Sequence, residues 1–455
     1  MALLPKSKLW RTITIVLGSF VFLVVFFYAG EDLRGWLAWE NCKHELAAKG
    51  EVLDWDKYIP PTVPDDQNFF KAPKMTEWFV RGKQSSTNEL TEQLRNPNTT
   101  ATNLNETASP KYLAWSDQFQ PDFDLIREAL KRPYARIDCD YSIPYEISIP
   151  NFIAVRAVAQ TLAQRAKCDL LLGQPDKALR ELTLLHDMCL LLEAAPTGKP
   201  MTLIAAMINV AVTGVYVDTI AGGIQSRAWQ EPQLAALQKQ LADINLNPFV
   251  SGALQEEAAG ICRDAQIVWI PKLFDMTGKM KWSEKVRWWL WPRGWTYQNM
   301  VNVAVLEQKP LEGFDLAHDT VAPRKFEEAN READQFVSHG KAPRRYKLLA
   351  AIAIPNFSRA EQTTAHNQTM ANEAQIACAL ERYRLANGLY PGTLDALSPQ
   401  FIETLPHDLI GGDPLIYRPT ADGKFLLYSI GWNEKDDGGK SGGTDFTKGD
   451  WVWKN

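Results

Sequence analysis

A mainly α-helical protein, with a transmembrane helix at its N-terminus and a small antiparallel sheet at its C-terminus, is the fold this sequence predicts. Three observations predict it. Residues 12–30 form an uncharged apolar run of bilayer length. Residues 118–340 show helix-spaced apolar positions in blocks punctuated by Gly and Pro. The last hundred or so residues open on a long helical pattern and close on short strand-like runs among Gly- and Asp-rich turns.

Thr12 to Gly30 carries no charge and as a helix spans about 28 Å, close to the hydrocarbon thickness of a bilayer. Lys6, Lys8 and Arg11 precede it, and Glu31 and Asp32 follow. That charge bias places the N-terminus in the cytoplasm and the remainder outside. The lipid bilayer is therefore the first expected partner, through residues 12–30. A cleaved signal peptide is the competing reading, but Phe27-Tyr28-Ala29-Gly30 offers no A-x-A-like cleavage site.

The chain has 455 residues, enough for two or three domains, and 45% of them are hydrophobic. Its net charge of −5 points to no nucleic-acid partner. The six cysteines are widely spread and form no C-x-x-C pair, which argues against a zinc ribbon or a thioredoxin-like motif. Cys168 and Cys189 fall in neighbouring predicted helices and could pair in an oxidising compartment; burial as small apolar residues is the preferred reading for most of the six.

Glu31 to Gly50 continues the first helix into water, and Gly50 ends it. The prolines at 60, 61 and 64 then impose an extended segment. It serves either as a spacer or as a strap laid over the domain; the strap reading explains its Phe69-Phe70 end. Residues 85–110 are polar and read as a surface loop, with Asn98-Thr99-Thr100 and Asn105-Glu106-Thr107 matching glycosylation acceptors by chance.

A helix is expected over 122–131 and an irregular stretch over 133–150. Phe152–Leu172 and Pro175–Ala194 form a helical hairpin across Gly173-Gln174. Its small residues Ala166 and Ala178 resemble those of a tetratricopeptide-repeat hairpin, without a second copy. Residues 201–224 are apolar enough for a second span. Asn209, Thr213, Asp218 and Thr219 interrupt them, so a buried core helix is preferred. Helices follow over 232–244 and 254–270, and a polar helix over 314–339. Between them lies a stretch unusually rich in Trp and basic residues, Lys281-Trp282 and Arg287 to Trp295. It would suit a membrane interface, a sugar surface or a protein groove; the preferred reading is a solvated helix whose Trp face packs on the core.

No G-x-S-x-G, H-E-x-x-H, P-loop or Rossmann glycine motif is present, and the six histidines lack metal-ligand spacing. Glu256-Glu257 with Asp264 could line a cleft; solvated helix acids are the alternative. The acidic loop from Ser429 to Trp451 is the best site candidate, with Asn433, Asp436, Asp437, Asp445 and Asp450 among six glycines. Oxygen donors on a Gly-rich loop suit Ca²⁺, which takes roughly six to eight oxygens in loose geometry. A solvated, turn-rich loop fits the same composition.

Several C-terminal segments carry a family likeness: Leu348 to Phe357, Ala379 to Pro391, Tyr390-Pro391-Gly392-Thr393-Leu394, Gly411-Gly412-Asp413-Pro414 and Tyr428-Ser429-Ile430-Gly431. Over roughly the last quarter, the chain resembles the major pseudopilin of type II secretion and type IV pilin-like proteins more broadly. The remainder loosely resembles uncharacterised membrane-anchored bacterial proteins. The resemblance implies a Ca²⁺ loop in which Asp437 and Asp445 are the matching acids and Asn433 stands where the family often has Asp. One hallmark departs: the apolar start, Leu348 to Ile354, is only seven residues and follows Arg344, Arg345 and Lys347. A pseudopilin-like head fused to another anchored protein is therefore expected.

Four segments result: 1–30, cytoplasmic tail and anchor; 31–117, helix extension, strap and polar loop; 118–340, helical domain; 341–455, pseudopilin-like α+β module. The expected function is that of a non-enzymatic envelope scaffold or accessory factor, linked to a type II secretion or pilus-like system through protein partners. Its expected place is the bacterial inner membrane, single-pass, with the bulk periplasmic. A membrane-anchored hydrolase using Glu256 and Glu257, and a Trp-rich glycan or lipid binding module, are the alternatives.

Overall fold

The first helix runs without a break for 43 residues, Lys6–Ala48, in a computed structural model that describes residues 6–81, 88–94, 107–193, 202–267, 281–339, 344–353 and 358–453. Its first half turns bare apolar side chains outward on all sides; Phe22 and Phe26 are each 68% exposed. Its second half behaves as a core helix, with Trp39, Cys42 and Leu46 buried against Met300, Val303 and Ala304. Gly50 adopts φ +88° and the amide of Glu51 donates to the Leu46 carbonyl at 3.0 Å, a left-handed stop that a Cβ would strain.

The proline-rich segment is a strap. Phe69 is fully buried, and its ring meets Phe70 edge-on at 5.3 Å. The Asn68 side chain fixes the strap by donating to the Arg136 carbonyl at 2.8 Å and accepting from the Arg136 amide at 3.1 Å. The polar stretch expected over 85–110 is partly helical. Leu90 and Leu94, four residues apart on the helix Glu89–Leu94, bury one face and overrule the polar composition. A second short helix, Ser109–Ser116, follows; Asn98 and Asn105 lie outside the described residues.

The hairpin forms from Phe152–Leu171 and Pro175–Glu193. Buried Arg165 and Glu181 pair across it at 3.2 Å, each charge meeting a partner in the apolar surroundings. Cys168 and Cys189 form no disulfide. Leu203–Gln225 is a core helix, as its interrupting polar residues foretold; Asn209, Thr213 and Thr219 are fully buried, and Thr219 donates to the Val215 carbonyl at 2.9 Å. Glu231–Ala242 and Leu246–Ile267 follow. The latter starts earlier than Leu254 because Pro248 sits in its first turn, where no amide donor is needed.

The helix expected from residue 314 begins only at Pro323 and runs to His339. A two-stranded antiparallel hairpin, β1 (Phe314–Asp315) and β2 (Thr320–Val321), takes the first residues. Phe314 packs edge-on to Phe326 at 4.9 Å, so both ends of that stretch are held by one aromatic contact. The long helical pattern after Lys347 appears as two helices, Leu348–Ala353 and Ser358–Asn387. Strands β3 (Ile416–Pro419), β4 (Phe425–Ser429) and β5 (Trp451–Val452) make an antiparallel sheet in that order, with Tyr417 opposite Leu427 and Ser429 opposite Trp451. One apolar core runs from Phe69 through Leu162, Tyr216 and Leu380 to Trp453, so the small sheet shares its interior with the helices.

Candidate functional site

Two carboxylates organise the C-terminal loop. Buried Asp408 accepts from the Ser429 hydroxyl at 2.7 Å, the Ile410 amide at 2.9 Å and the Ile430 amide at 3.1 Å, pinning the end of β4. Buried Asp450 accepts from the amides of Asp437 at 3.1 Å, Gly439 at 2.6 Å and Lys440 at 3.2 Å, closing the loop onto its far end. Such charge-assisted bonds are about twice as strong as neutral ones.

The other candidate ligands sit around that frame. Asp436 accepts from the Tyr428 hydroxyl at 3.0 Å and the Gly438 amide at 2.8 Å. Asn433 donates to Asp437 at 2.8 Å, which brings Asn433, Asp436 and Asp437 into one turn with Asp436 and Asp437 exposed. Asp445 stands in a later turn, accepts from Thr447 and pairs with Lys448 at 2.8 Å. The Lys448 ammonium, with Thr447, holds the Asp445 carboxyl at about 2. Among the described residues, no three His, Cys, Asp or Glu side chains gather into a metal-holding group. Asp408 was missed by sequence reasoning; its signal is an acid set into the apolar run Leu405 to Ile410 just before Gly411-Gly412.

A groove of about 900 Å³ opens where the helical domain meets the C-terminal module. Phe152, Ile204, Met207, Ile261, Leu349 and Ile352 are among its apolar lining residues. Among the described residues that line it, Arg156, Gln160, Glu257 and Asp264 bring polar groups. Glu256 and Glu257 do not face the groove together. Adjacent helix positions diverge by about 100°, and buried Glu256 does not line the groove with Glu257. Glu257 instead shares a helix face with Asp264, seven residues on. Burial pushes the Asp264 carboxyl up to about 7, against the amide of Tyr145, which donates to it at 3.3 Å. Burial also raises Glu257. Arg156 and the apolar walls carried no motif, because a groove formed by helices from distant parts of the chain leaves no local spacing to read.

The Trp-rich stretch divides. Trp291 and Trp295 stack edge-on at 5.1 Å and are half-buried, whereas Trp282 and Trp289 stand out at 80% and 77% exposure. Of the histidines, His366 stacks on Phe446 at 3.9 Å and His186 lies 5.8 Å from the Tyr216 ring, both as packing partners.

No family model and no solved structure matches the chain. It is similar to the type II secretion system core protein G of Pseudomonas aeruginosa, 33% identical over 129 residues that cover 24% of this chain and 84% of that protein. It is similar also to the type II secretion system core protein G of Klebsiella michiganensis, 27% identical over 122 residues, 23% of this chain and 82% of that protein. Most of the relative is thus matched by about a quarter of this chain, a length close to that of the α+β module. Over that quarter, the chain belongs to the family of the type II secretion system core protein G.

Proposed function

We propose that this protein is a non-enzymatic, single-pass inner-membrane scaffold or accessory factor of a type II secretion or pilus-like system, with its N-terminus cytoplasmic and its bulk periplasmic. The observation that carries the reading is the seam. The module's own Leu349, Ile352, Ala353 and Ala360 line the apolar groove with helices of the larger domain. A pseudopilin-like head built into a wall in this way is held as a fixed part of a larger surface. Apolar grooves take the apolar face of a partner helix.

Ile204 and Ile352 line the groove and are about half exposed, so charge there is tolerated by the fold. In a strain lacking the gene, the full chain restores secretion of type II substrates. Ile204→Glu with Ile352→Glu is expected to fail at normal protein level. Restoration by that double variant, or no secretion defect on deletion, overturns the reading. One observation favours the hydrolase alternative: an acid near 7 beside a second raised carboxyl in a cleft has the poise of a general acid or base. Asp264→Asn separates the two, since a scaffold keeps its function and a hydrolase loses it.

The proposal extends to Ca²⁺ on the C-terminal loop. The exposed carboxylates of Asp436 and Asp437 beside Asn433 support it; Asp445 and Asp450 complete the proposed ligand set. A ligand bound only by the folded state raises its melting temperature. Ca²⁺ is therefore expected to raise melting relative to chelator, and Asp437→Ala and Asp445→Ala to abolish the rise. No shift at saturating Ca²⁺ leaves a turn-rich loop.

A further inference from the structure

We propose that the helix Trp282–Trp289 is a membrane-surface seat, lying in the headgroup–acyl boundary of the same bilayer that residues 12–30 cross. It rests on the reading of those residues as the span. Trp282 and Trp289 are 80% and 77% exposed, and the following Leu290 is 51% exposed. Seven residues apart, the two indoles occupy one face of the helix. Exposed Lys281 and Arg293 flank them. Indoles with flanking cations are suited to the boundary between acyl chains and anionic headgroups.

What makes the bilayer the occupant is where the helix is tied. The Tyr28 hydroxyl donates to the Leu290 carbonyl at 2.5 Å. The Gly294 amide donates to Asp32 at 2.7 Å, and the Trp295 indole donates to Glu31 at 2.9 Å. Arg34 holds Glu31 at 2.7 Å, and the Arg345 guanidinium lies over the Trp295 ring at 4.8 Å. The ties to Tyr28, Glu31 and Asp32 fall at the end of the apolar run, where a span leaves the hydrocarbon. Two glycines set the spacing. A Cβ on Gly294 would stand 1.9 Å from the Glu31 carbonyl oxygen, and one on Gly35 would stand 2.3 Å from the Gly294 oxygen. The backbones touch there, so the exposed indoles are held at one height relative to the span's exit. The seat therefore fixes how far the head stands above the membrane and at what tilt.

The test places an environment-sensitive fluorophore on the full chain in vesicles of phosphatidylethanolamine and phosphatidylglycerol. Trp282→Cys, Trp289→Cys, Phe20→Cys in the span and Thr404→Cys on the exposed far module carry the label, and nitroxide lipids report its depth. The expected result is deep quenching at residue 20 and severalfold stronger shallow quenching at 282 and 289 than at 404. Gly294→Val is expected to remove the shallow quenching at 289 and keep the deep quenching at 20. Quenching at 282 and 289 equal to that at 404, with residue 20 deep, overturns the seat and leaves the span. Water-like signals at residue 20 overturn both. A response at 282 and 289 only to added peptidoglycan fragments overturns the seat in favour of a sugar surface.

Discussion

Among the described residues, two helices are long and apolar enough to cross a membrane, and one stands bare while the other is packed into the core. The stretch from Trp10 to Ala48 has a most apolar window with mean hydropathy 2.4, none of it buried in the protein. Leu203–Gln225 reaches 1.7, and 67% of its window is buried. The difference is in what interrupts the apolar residues. Residues 12–30 present methyls and rings on every side, which suits lipid. The second helix carries buried Asn209, Thr213 and Tyr216, polar groups that are costly away from water unless partners are at hand. Tyr216 donates to Gln240 at 2.7 Å, and Asn367 donates to the Val210 carbonyl at 2.7 Å where Gly214 leaves room for it. Hydropathy measures greasiness; the fate of a helix depends on who answers its polar groups.

The sharpest way to break that contrast is Tyr216→Ala. The side chain is fully buried and hydrogen-bonded, so its loss is expected to cost about 3–5 kcal/mol in denaturant unfolding of the solubilised protein. A cost near zero would mean that this helix is not a core element.

The packed side also hides ionisable groups, which a lipid-facing helix avoids. Burial pushes Glu361 up to about 8 from an ordinary 4.5, and raises Glu373 well above its ordinary value. The folded chain keeps the Glu361 proton where the unfolded chain has released it. This group's contribution is therefore complete below pH 4.5 and is lost as pH rises through about 8. Glu361→Gln is expected to raise stability at pH 8 by a few kcal/mol and to flatten the melting profile across that window.

Smaller effects belong to the anchor helix. Gly35→Val pushes a side chain into the Gly294 backbone and is expected to cost about 1–3 kcal/mol, read as faster proteolysis near residue 294. Smallest is Phe22→Ala, whose ring is 68% exposed. It is expected to leave head stability within about 0.5 kcal/mol and to weaken retention in the bilayer. A clear loss of head stability would show that the first half of the anchor packs on protein.

Much of the α-helical plan was legible because it is written locally. The apolar run 12–30, the Gly50 stop, the hairpin around Gly173 and the strand Phe425–Ser429 are each set by residues adjacent in the chain. The errors came where distant contacts outvote local composition. Leu90 and Leu94 find a core that their polar neighbours do not announce, and Phe314 turns back on Phe326 where a helix was expected. In the acidic loop, the residue types were visible from the start. Which of them frame it was not, because Asp450 and Asp408 act on amides of segments up to 22 residues away.

The sequence by itself determined the apolar N-terminal helix, the predominance of helix and the quarter-length kinship to core protein G, since hydropathy, periodicity and motif wording are properties of neighbours along the chain. Only the tertiary structure decided that Glu257 and Asp264, and not Glu256, line a groove with residues of distant helices. Only it decided that the strap's Phe69 closes the core and that Gly35 meets Gly294. Those are meetings of segments up to some 260 residues apart, decided by burial and close packing across the whole fold, which no local pattern encodes.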